Sequence, residues 1–167
     1  MRRPKNKETF DELYAQHHRL VRNVLFNLVG EGPLEDLTQE AFLRIWKGLS
    51  SFANRSSTKT WVYRVTVNIA MDHFRKKSIR TQQMNEAALS IIADTPSYAN
   101  QQLVQKALDT LSDDHRAVAV LFYFEELTLE EIAAVMEIPT GTVKSRLHTA
   151  REALKAFLEK KGMTDVA

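Results

Sequence analysis

The stretch from Leu127 to Leu158 constrains the fold of this chain more than any other, because it carries two helical patterns separated by a tight turn. Thr128 and Glu131 have the spacing of a capping box, so we predict a helix from Leu129 to about Met136. Pro139 then predicts the turn. A second helix follows, and its apolar residues recur on one stripe: Val143, Leu147, Ala150, Leu154 and Phe157.

The face opposite that stripe is small or polar, at about 100° of rotation per residue. In a helix-turn-helix the second helix enters a DNA major groove, where small polar side chains reach base edges and cations at the flanks hold phosphates. The pattern alone also fits two ordinary amphipathic helices with a solvated outer face. The outer residues are Gly141, Ser145, His148 and Glu152, flanked by Thr142, Lys144 and Arg146.

The composition favours an all-α protein. Of 167 residues only 5 are Gly and 4 are Pro, while 44% are hydrophobic, which is enough for a packed core. The formal net charge is only +2, so a nucleic-acid surface has to come from local clusters of cations. There are no cysteines and no apolar run long enough to span a membrane. The basic N-terminus does not read as a signal peptide, and we expect a cytoplasmic protein.

Helical periodicity occurs on both sides of a polar segment. We predict helices from about Glu8 to Val29, from Leu34 to Leu49 and from Thr58 to Lys77, and helical pattern resumes at Gln101. The stretch between them is polar, is interrupted by Pro96 and reads as a linker. We therefore expect two small helical domains at residues 1–80 and 101–162, with a linker at 81–100 and a disordered tail at 163–167.

The third predicted helix has two apolar stripes, so it is either deeply buried or presents one face to a partner. It ends in a basic run: between Arg64 and Arg80 there are five cations and one acid, Asp72. Aromatic residues beside cations suit single-stranded nucleic acid, in which bases stack and phosphates pair, although a Trp at helical spacing is usually core. The stripes are Trp61, Val65 and Ile69, and Tyr63, Val67, Ala70 and Phe74.

Catalytic patterns are missing from the sequence. No phosphate-binding Gly-rich loop and no nucleophile elbow occurs. The histidines do not have metal-ligand spacing. The acidic residues Glu31, Glu35, Asp36 and Glu40 could hold a hard cation, but a solvated face or a docking face for a basic partner explains them better. We expect no enzyme activity, no cofactor and no metal.

Three motifs taken together resemble the bacterial RNA polymerase sigma factors of the sigma-70 family. They are DLTQEAFLRIWKGLSSF at 36–52, TWVYRVTVNIAMDHFRKK at 60–77 and LTLEEIAAVMEIPTGTVKSRLHTAR at 127–151. With a linker between the second and third motifs, the chain resembles the small extracytoplasmic-function (ECF) type. That resemblance implies an all-α fold with two domains, a helical bundle like sigma region 2 and a four-helix unit with a helix-turn-helix like sigma region 4.

The resemblance also implies roles for the first domain. One helix would dock on the coiled coil of the polymerase β′ subunit, through Asp36, Gln39, Glu40, Arg44 and Trp46. The following loop would capture a flipped base of the −10 element, which costs a few kcal/mol of unstacking. The residues expected to bind and melt the −10 element are Phe52, Asn54, Arg55, Trp61, Tyr63, Asn68, Asp72, Arg75, Lys76 and Lys77.

The second domain would read the −35 element as duplex DNA. Further implied partners are the polymerase β subunit and an anti-sigma protein, for which the third helix and the helix at Leu103–Leu111 offer surfaces. A free-standing helix-turn-helix regulator and a protein–protein adaptor are the alternatives. The residues expected at the −35 element are Thr140, Thr142, Lys144, Ser145, Arg146, His148 and Arg151.

Overall fold

The computed structural model describes residues 9–52, 55–83 and 99–163, and this part of the chain forms seven α-helices and no strand. The predicted all-α class is therefore confirmed. None of the described helices is long and apolar enough to cross a membrane. The helices are α1 (Phe10–Val29), α2 (Leu34–Leu49), α3 (Thr58–Gln83), α4 (Ala99–Asp109), α5 (Asp113–Tyr123), α6 (Leu129–Met136) and α7 (Thr140–Lys160).

Local sequence signals fix several helix ends. The predicted capping box is present at α6, where the Thr128 hydroxyl accepts the Glu131 N–H and the Glu131 carboxylate accepts the Thr128 N–H. A second capping box joins Thr9 and Glu12, so α1 begins at Phe10 rather than at the predicted Glu8. Ser112 caps α5, because its hydroxyl accepts the N–H of His115.

The ends of α2 lie where the pattern places them, but α3 is longer than predicted. It continues past Lys77 to Gln83, because no Gly or Pro follows to stop it, and the Thr81 hydroxyl bonds back to the carbonyl of Lys77. The predicted linker lies largely outside the described residues, since 84–98 are not described. The tail from 164 is also outside them.

The helices form two sets, which we name the first domain (α1–α3) and the second domain (α4–α7). In the first domain α1, α2 and α3 pack on one another, and Leu13, Leu25 and Ile45 are fully buried. In the second, α5, α6 and α7 pack around Ile132 and Val143, also fully buried.

The two domains contact each other in this structure. Helix α3 lies against α6 and α5, α1 lies against α5, and the buried apolar residues of both domains form one continuous cluster. Tyr63 and Phe74, three helical turns apart on α3, both contact residues of the second domain. The second apolar stripe of α3 is therefore explained: that face of the helix is directed at the second domain.

Candidate nucleic-acid interface

Helix α7 presents the outer face that its sequence predicts. Val143, Leu147 and Ala150 are buried against the rest of the second domain. The opposite residues, Gly141, Ser145, His148 and Glu152, are all exposed. A major groove about 12 Å wide admits a helix, so this face is accessible to duplex DNA without rearrangement of the second domain.

The turn between α6 and α7 sets the angle at which that face is presented. Glu137 caps α6 in the left-handed conformation, with φ of 55°, and the N–H groups of Glu137 and Ile138 bond to the carbonyl of Ala133. A non-glycine residue in this conformation costs about 1 kcal/mol. Pro139 then adopts an extended conformation and starts α7. The backbone, and not the outer side chains, therefore fixes the helix-turn-helix geometry.

The flanking cations of α7 are not equivalent. Lys144 is exposed, whereas the Arg146 guanidinium pairs with Asp114 of α5 at 3.0 Å, and its side chain is only 24% exposed. The Arg151 Nε donates to the Tyr123 hydroxyl at 3.2 Å, although the arginine is exposed. Lys144 is ready for a phosphate, and Arg146 has to leave its partner to reach one.

The polar side chains on α7 bond to their own helix. The Ser145 hydroxyl donates to the carbonyl of Thr142 at 3.0 Å. A hydroxyl has two lone pairs besides its proton, so Ser145 still offers acceptors to a base edge. Thr140 and Thr142 are half-buried at the start of the helix.

An aromatic pair joins the ends of α2 and α3 in the first domain. Phe52 and Trp61 stack with ring centroids 4.9 Å apart and an interplanar angle of 27°. Trp61 also lies against the backbone of Gly48, where a Cβ would come within 2.7 Å of the indole Cζ2. Asn54 lies outside the described residues, and Arg55 is exposed. Phe52 and Trp61 lie on either side of the loop for which the resemblance implies capture of a flipped base.

Tyr63 does not lie on a free surface. Its residue is 4% exposed, and its hydroxyl donates to Glu125 of the second domain at 2.8 Å. Burial, and then the bond to Glu125, raise the pKa of Tyr63. The predicted stacking of Tyr63 on a base is incompatible with the contact between domains seen here. Sequence periodicity could not reveal this, because Glu125 belongs to a distant segment.

The distal half of α3 remains accessible. Asn68, Arg75, Lys76 and Lys77 are exposed. Asp72 is held by two arginines, Arg75 on the same helix and Arg44 of α2, the latter at 3.0 Å. This pairing links the residues predicted for the −10 element to those predicted for polymerase docking.

The outer face of α2 is both acidic and aromatic. Asp36 and Gln39 are exposed, and Trp46 is 45% exposed. Helix α1 adds aromatic residues that the sequence motifs do not predict for this face: Phe10 packs edge-on against Trp46 with ring centroids 5.5 Å apart, and Tyr14 and His18 continue the row. Their spacing of four residues could have identified them as one helical stripe.

The acidic cluster near α2 does not form a metal site. Glu35 pairs with Arg22, and Glu40 pairs with Arg44. Among the residues that the structure describes, no group of three or more His, Cys, Asp or Glu side chains could hold a metal ion. Glu35 and Glu40 are therefore neutralised by arginines of the same domain, and Glu31 and Asp36 are exposed acidic residues.

The second domain has an apolar groove between α4, α5 and α7. Val104 and Tyr123 are exposed large side chains in this groove, and Arg151 lies at its edge. Helix α4 is one of the two helices, with α3, that are predicted to offer a surface for an anti-sigma protein. The remaining lining is mostly aliphatic: Leu103, Ala107, Leu108, Leu154, Leu158 and Met163.

Two family models match this chain, one in each domain. The model described as "Sigma-70 region 2" matches residues 13–79, which span α1, α2 and most of α3. The model described as "Sigma-70, region 4" matches residues 107–156, which include the helix-turn-helix. The two matches together cover more than half of the chain.

Curated relatives and solved structures agree with these models. The ECF RNA polymerase sigma factor SigW of Bacillus subtilis is 34% identical over 89% of this chain and 83% of its own length. SigE of Mycolicibacterium smegmatis is 34% identical over 91% of this chain, which spans only 62% of that relative. The sigma factor RpoE of Bartonella quintana, solved in complex with the anti-sigma factor NepR, superposes with a TM-score of 0.73 at 25% identity, covering 90% of this chain and 96% of that one. This chain belongs to the ECF sigma factors of the sigma-70 family, which are non-catalytic promoter-specificity subunits of RNA polymerase.

Proposed function

We propose that this chain binds core RNA polymerase in the cytoplasm and directs it to promoters with separate −35 and −10 elements. The second domain reads the −35 element as duplex, and the first domain binds the −10 element as it opens. Joining two modest contacts raises the effective concentration of the second once the first has formed. The observation that supports this most is the exposed outer face of α7 above a buried apolar stripe.

The first domain supports the −10 assignment through its aromatic and basic residues. The stacked Phe52–Trp61 pair at the loop, and the exposed Arg75, Lys76 and Lys77 on α3, combine a stacking surface with phosphate partners. A free-standing helix-turn-helix regulator that binds duplex DNA has no need of such a surface.

The polymerase docks on two surfaces in this proposal. The acidic and aromatic face of α1 and α2, with Asp36, Gln39 and Trp46, suits the β′ coiled coil. The apolar groove of the second domain suits a helix of the β subunit, and an anti-sigma protein competes for these surfaces. The sigma factor RpoE of Bartonella quintana, solved with the anti-sigma factor NepR, motivates the anti-sigma part of the proposal.

Run-off transcription with purified core polymerase on a library of −35/−10 variants tests the proposal. Start-specific transcripts that require the protein are expected, and their sequences give the promoter it reads. If no transcript forms and the protein does not co-elute with core polymerase, the free-standing regulator replaces the proposed function. If it binds neither polymerase nor DNA, the adaptor remains.

A further inference from the structure

Arg151 lies on α7 at the boundary between the outer face and the apolar groove. Residues three positions apart are neighbours on the surface of a helix. His148, three residues before Arg151, is exposed on the outer face, whereas Leu154, three residues after it, lines the groove. Arg151 also lines the groove. Its guanidinium can therefore be directed at a phosphate beside the outer face or back across the groove.

The hydroxyl of Tyr123 holds the Arg151 side chain in one direction. Tyr123 is the last residue of α5, lines the same groove and accepts a hydrogen bond from the Arg151 Nε at 3.2 Å. Its ring packs edge-on against Phe122 with centroids 5.1 Å apart, and Phe122 packs in turn against the buried core. An exposed arginine is thus held by a hydroxyl at the end of a helix that is anchored in the second domain.

The bond to Tyr123 leaves the outer end of the guanidinium for another partner. It uses one of the five N–H donors of the group, and the other four lie on the two Nη atoms. Two parallel N–H donors of this kind bind a phosphate bidentately. A phenol is uncharged at neutral pH, so the arginine also keeps its charge. Arg146 is the opposite case, because the carboxylate of Asp114 engages its Nη2.

We infer that Tyr123 is a positioning residue for DNA binding: it orders Arg151 in advance, so that the two Nη atoms bind a backbone phosphate of the −35 duplex. Ordering a long side chain before binding reduces the conformational entropy that is lost on binding. The inference rests on the proposed function, because it requires α7 to lie in the major groove. Tyr123 lies before the third sequence motif, so the motif does not assign this role.

A double-mutant cycle on the full-length protein tests this role. Tyr123→Phe keeps the ring and removes the oxygen that accepts the bond, so the affinity for a fluorescent duplex carrying the −35 sequence should fall about threefold to fivefold. The slope of log K against the logarithm of the salt concentration should not change, because the arginine still reaches the phosphate. Arg151→Ala should weaken binding about tenfold and make that slope less steep by about one.

The combined variants separate positioning from other roles of Tyr123. In the Arg151→Ala protein, Tyr123→Phe should have no further effect, because the side chain that Tyr123 positions is gone. Lys155→Ala is the matched control background, since it removes an exposed cation one turn further along α7 that lines the same groove. In that background Tyr123→Phe should keep its full effect. Thermal unfolding of each variant verifies that it is folded.

Nuclear magnetic resonance of the free protein measures the positioning without DNA. The order parameter of the Arg151 Nε–H should fall in Tyr123→Phe, because the bond that holds this group is lost. The order parameter of the Arg146 Nε–H should stay the same, since Asp114 still holds that side chain. Arg146 is therefore an internal control for the measurement.

The inference is overturned if Tyr123→Phe weakens duplex binding equally with and without the Arg151 side chain, because Tyr123 would then act on the fold or contact DNA itself. It is also overturned if Tyr123→Phe changes neither the affinity nor the order parameter of Arg151. Failure of the proposed function looks different: the unsubstituted protein, alone and with core polymerase, would bind no −35 duplex, while the order parameters would still report the bond to Tyr123.

Discussion

Helices α7 and α3 carry the two proposed DNA surfaces, and they differ in how much of each the free protein exposes. On α7 the outer residues Ser145 and His148 face solvent, while the flanking Arg146 is paired with Asp114 of α5. On α3 the end nearest the loop is covered, with Tyr63 bonded to the second domain, while Lys76 and Lys77 are free. The surface proposed to read the duplex is therefore exposed without any rearrangement, whereas exposure of the surface proposed to bind the single strand depends on where the second domain lies.

The largest expected effect is a loss of duplex binding at α7 that leaves single-strand binding at α3 unchanged. Lys144→Ala with Arg146→Ala should weaken −35 duplex binding by about 100-fold, because two charge-assisted phosphate contacts are lost. The slope of log K for duplex binding against the logarithm of the salt concentration should become less steep by about two. Binding of a single strand by the first domain should not change. Fluorescence anisotropy at several salt concentrations measures both.

Lys160→Ala at the far end of α7 is the control for that pair, because it removes an exposed cation from the last turn of the same helix. Equal losses in the control and in the double variant would mean that net charge, and not the position of the two cations, determines binding.

Tyr63→Phe on α3 should strengthen DNA binding, whereas the α7 variants weaken it. It keeps the ring and removes the hydroxyl that donates to Glu125, so the second domain should leave α3 more often. Binding of a short fluorescent DNA strand of mixed sequence by the protein alone should tighten about fivefold. Within the polymerase complex the gain should vanish, since the domains are already apart. A gain of the same size in the complex would show that the ring environment, and not opening, is responsible.

Asp114→Asn tests whether the ion pair of Arg146 limits duplex binding by α7. It releases Arg146 from its ion pair, and exposed pairs of this kind contribute up to about 1 kcal/mol. Duplex binding should therefore tighten about twofold to threefold in a filter-binding assay. Asp113→Asn makes the same charge change beside it, and no ion pair is formed by Asp113 among the described contacts. If the two variants bind duplex DNA with the same affinity, release of Arg146 does not explain the gain.

The smallest effect is a pH dependence of the contact between domains. Burial raises the pKa of Glu125 above its ordinary value of 4.5, although Tyr63 and Lys59 act in the opposite direction. The protein with its domains in contact therefore binds more protons at this carboxyl than a protein whose domains have separated and left Glu125 in water. Raising the pH through the range just above 4.5 should favour opening, by less than about tenfold per unit for one proton.

Fluorescence transfer between dyes attached to Ala15→Cys of α1 and Ala156→Cys of α7 measures the separation of the domains across that pH range, and Glu125→Gln should make the response flat. A response of the same slope in Glu125→Gln would assign the titration to another group.

Much of the candidate site follows from short-range patterns. The ends of α6 are determined by Thr128 and Glu131, three residues apart, and the outer face of α7 follows from its period alone. Membership of the family could also be predicted from the sequence, because the three motifs that carry the resemblance are contiguous segments. The prediction that the chain is not an enzyme is confirmed by that membership. The roles of the individual site residues remain predictions.

What the sequence by itself determined, then, is what neighbouring residues impose on one another: helix ends, buried stripes and exposed faces. Only the tertiary structure decided that Tyr63 is covered, that Arg146 is paired, and that Arg116 of α5 donates to the carbonyl of Asn27 in α1. Tyr63 and Glu125 are 62 residues apart, and Arg116 and Asn27 are 89 apart. No helical period relates such positions, because their distance is set by how the second domain packs on the first.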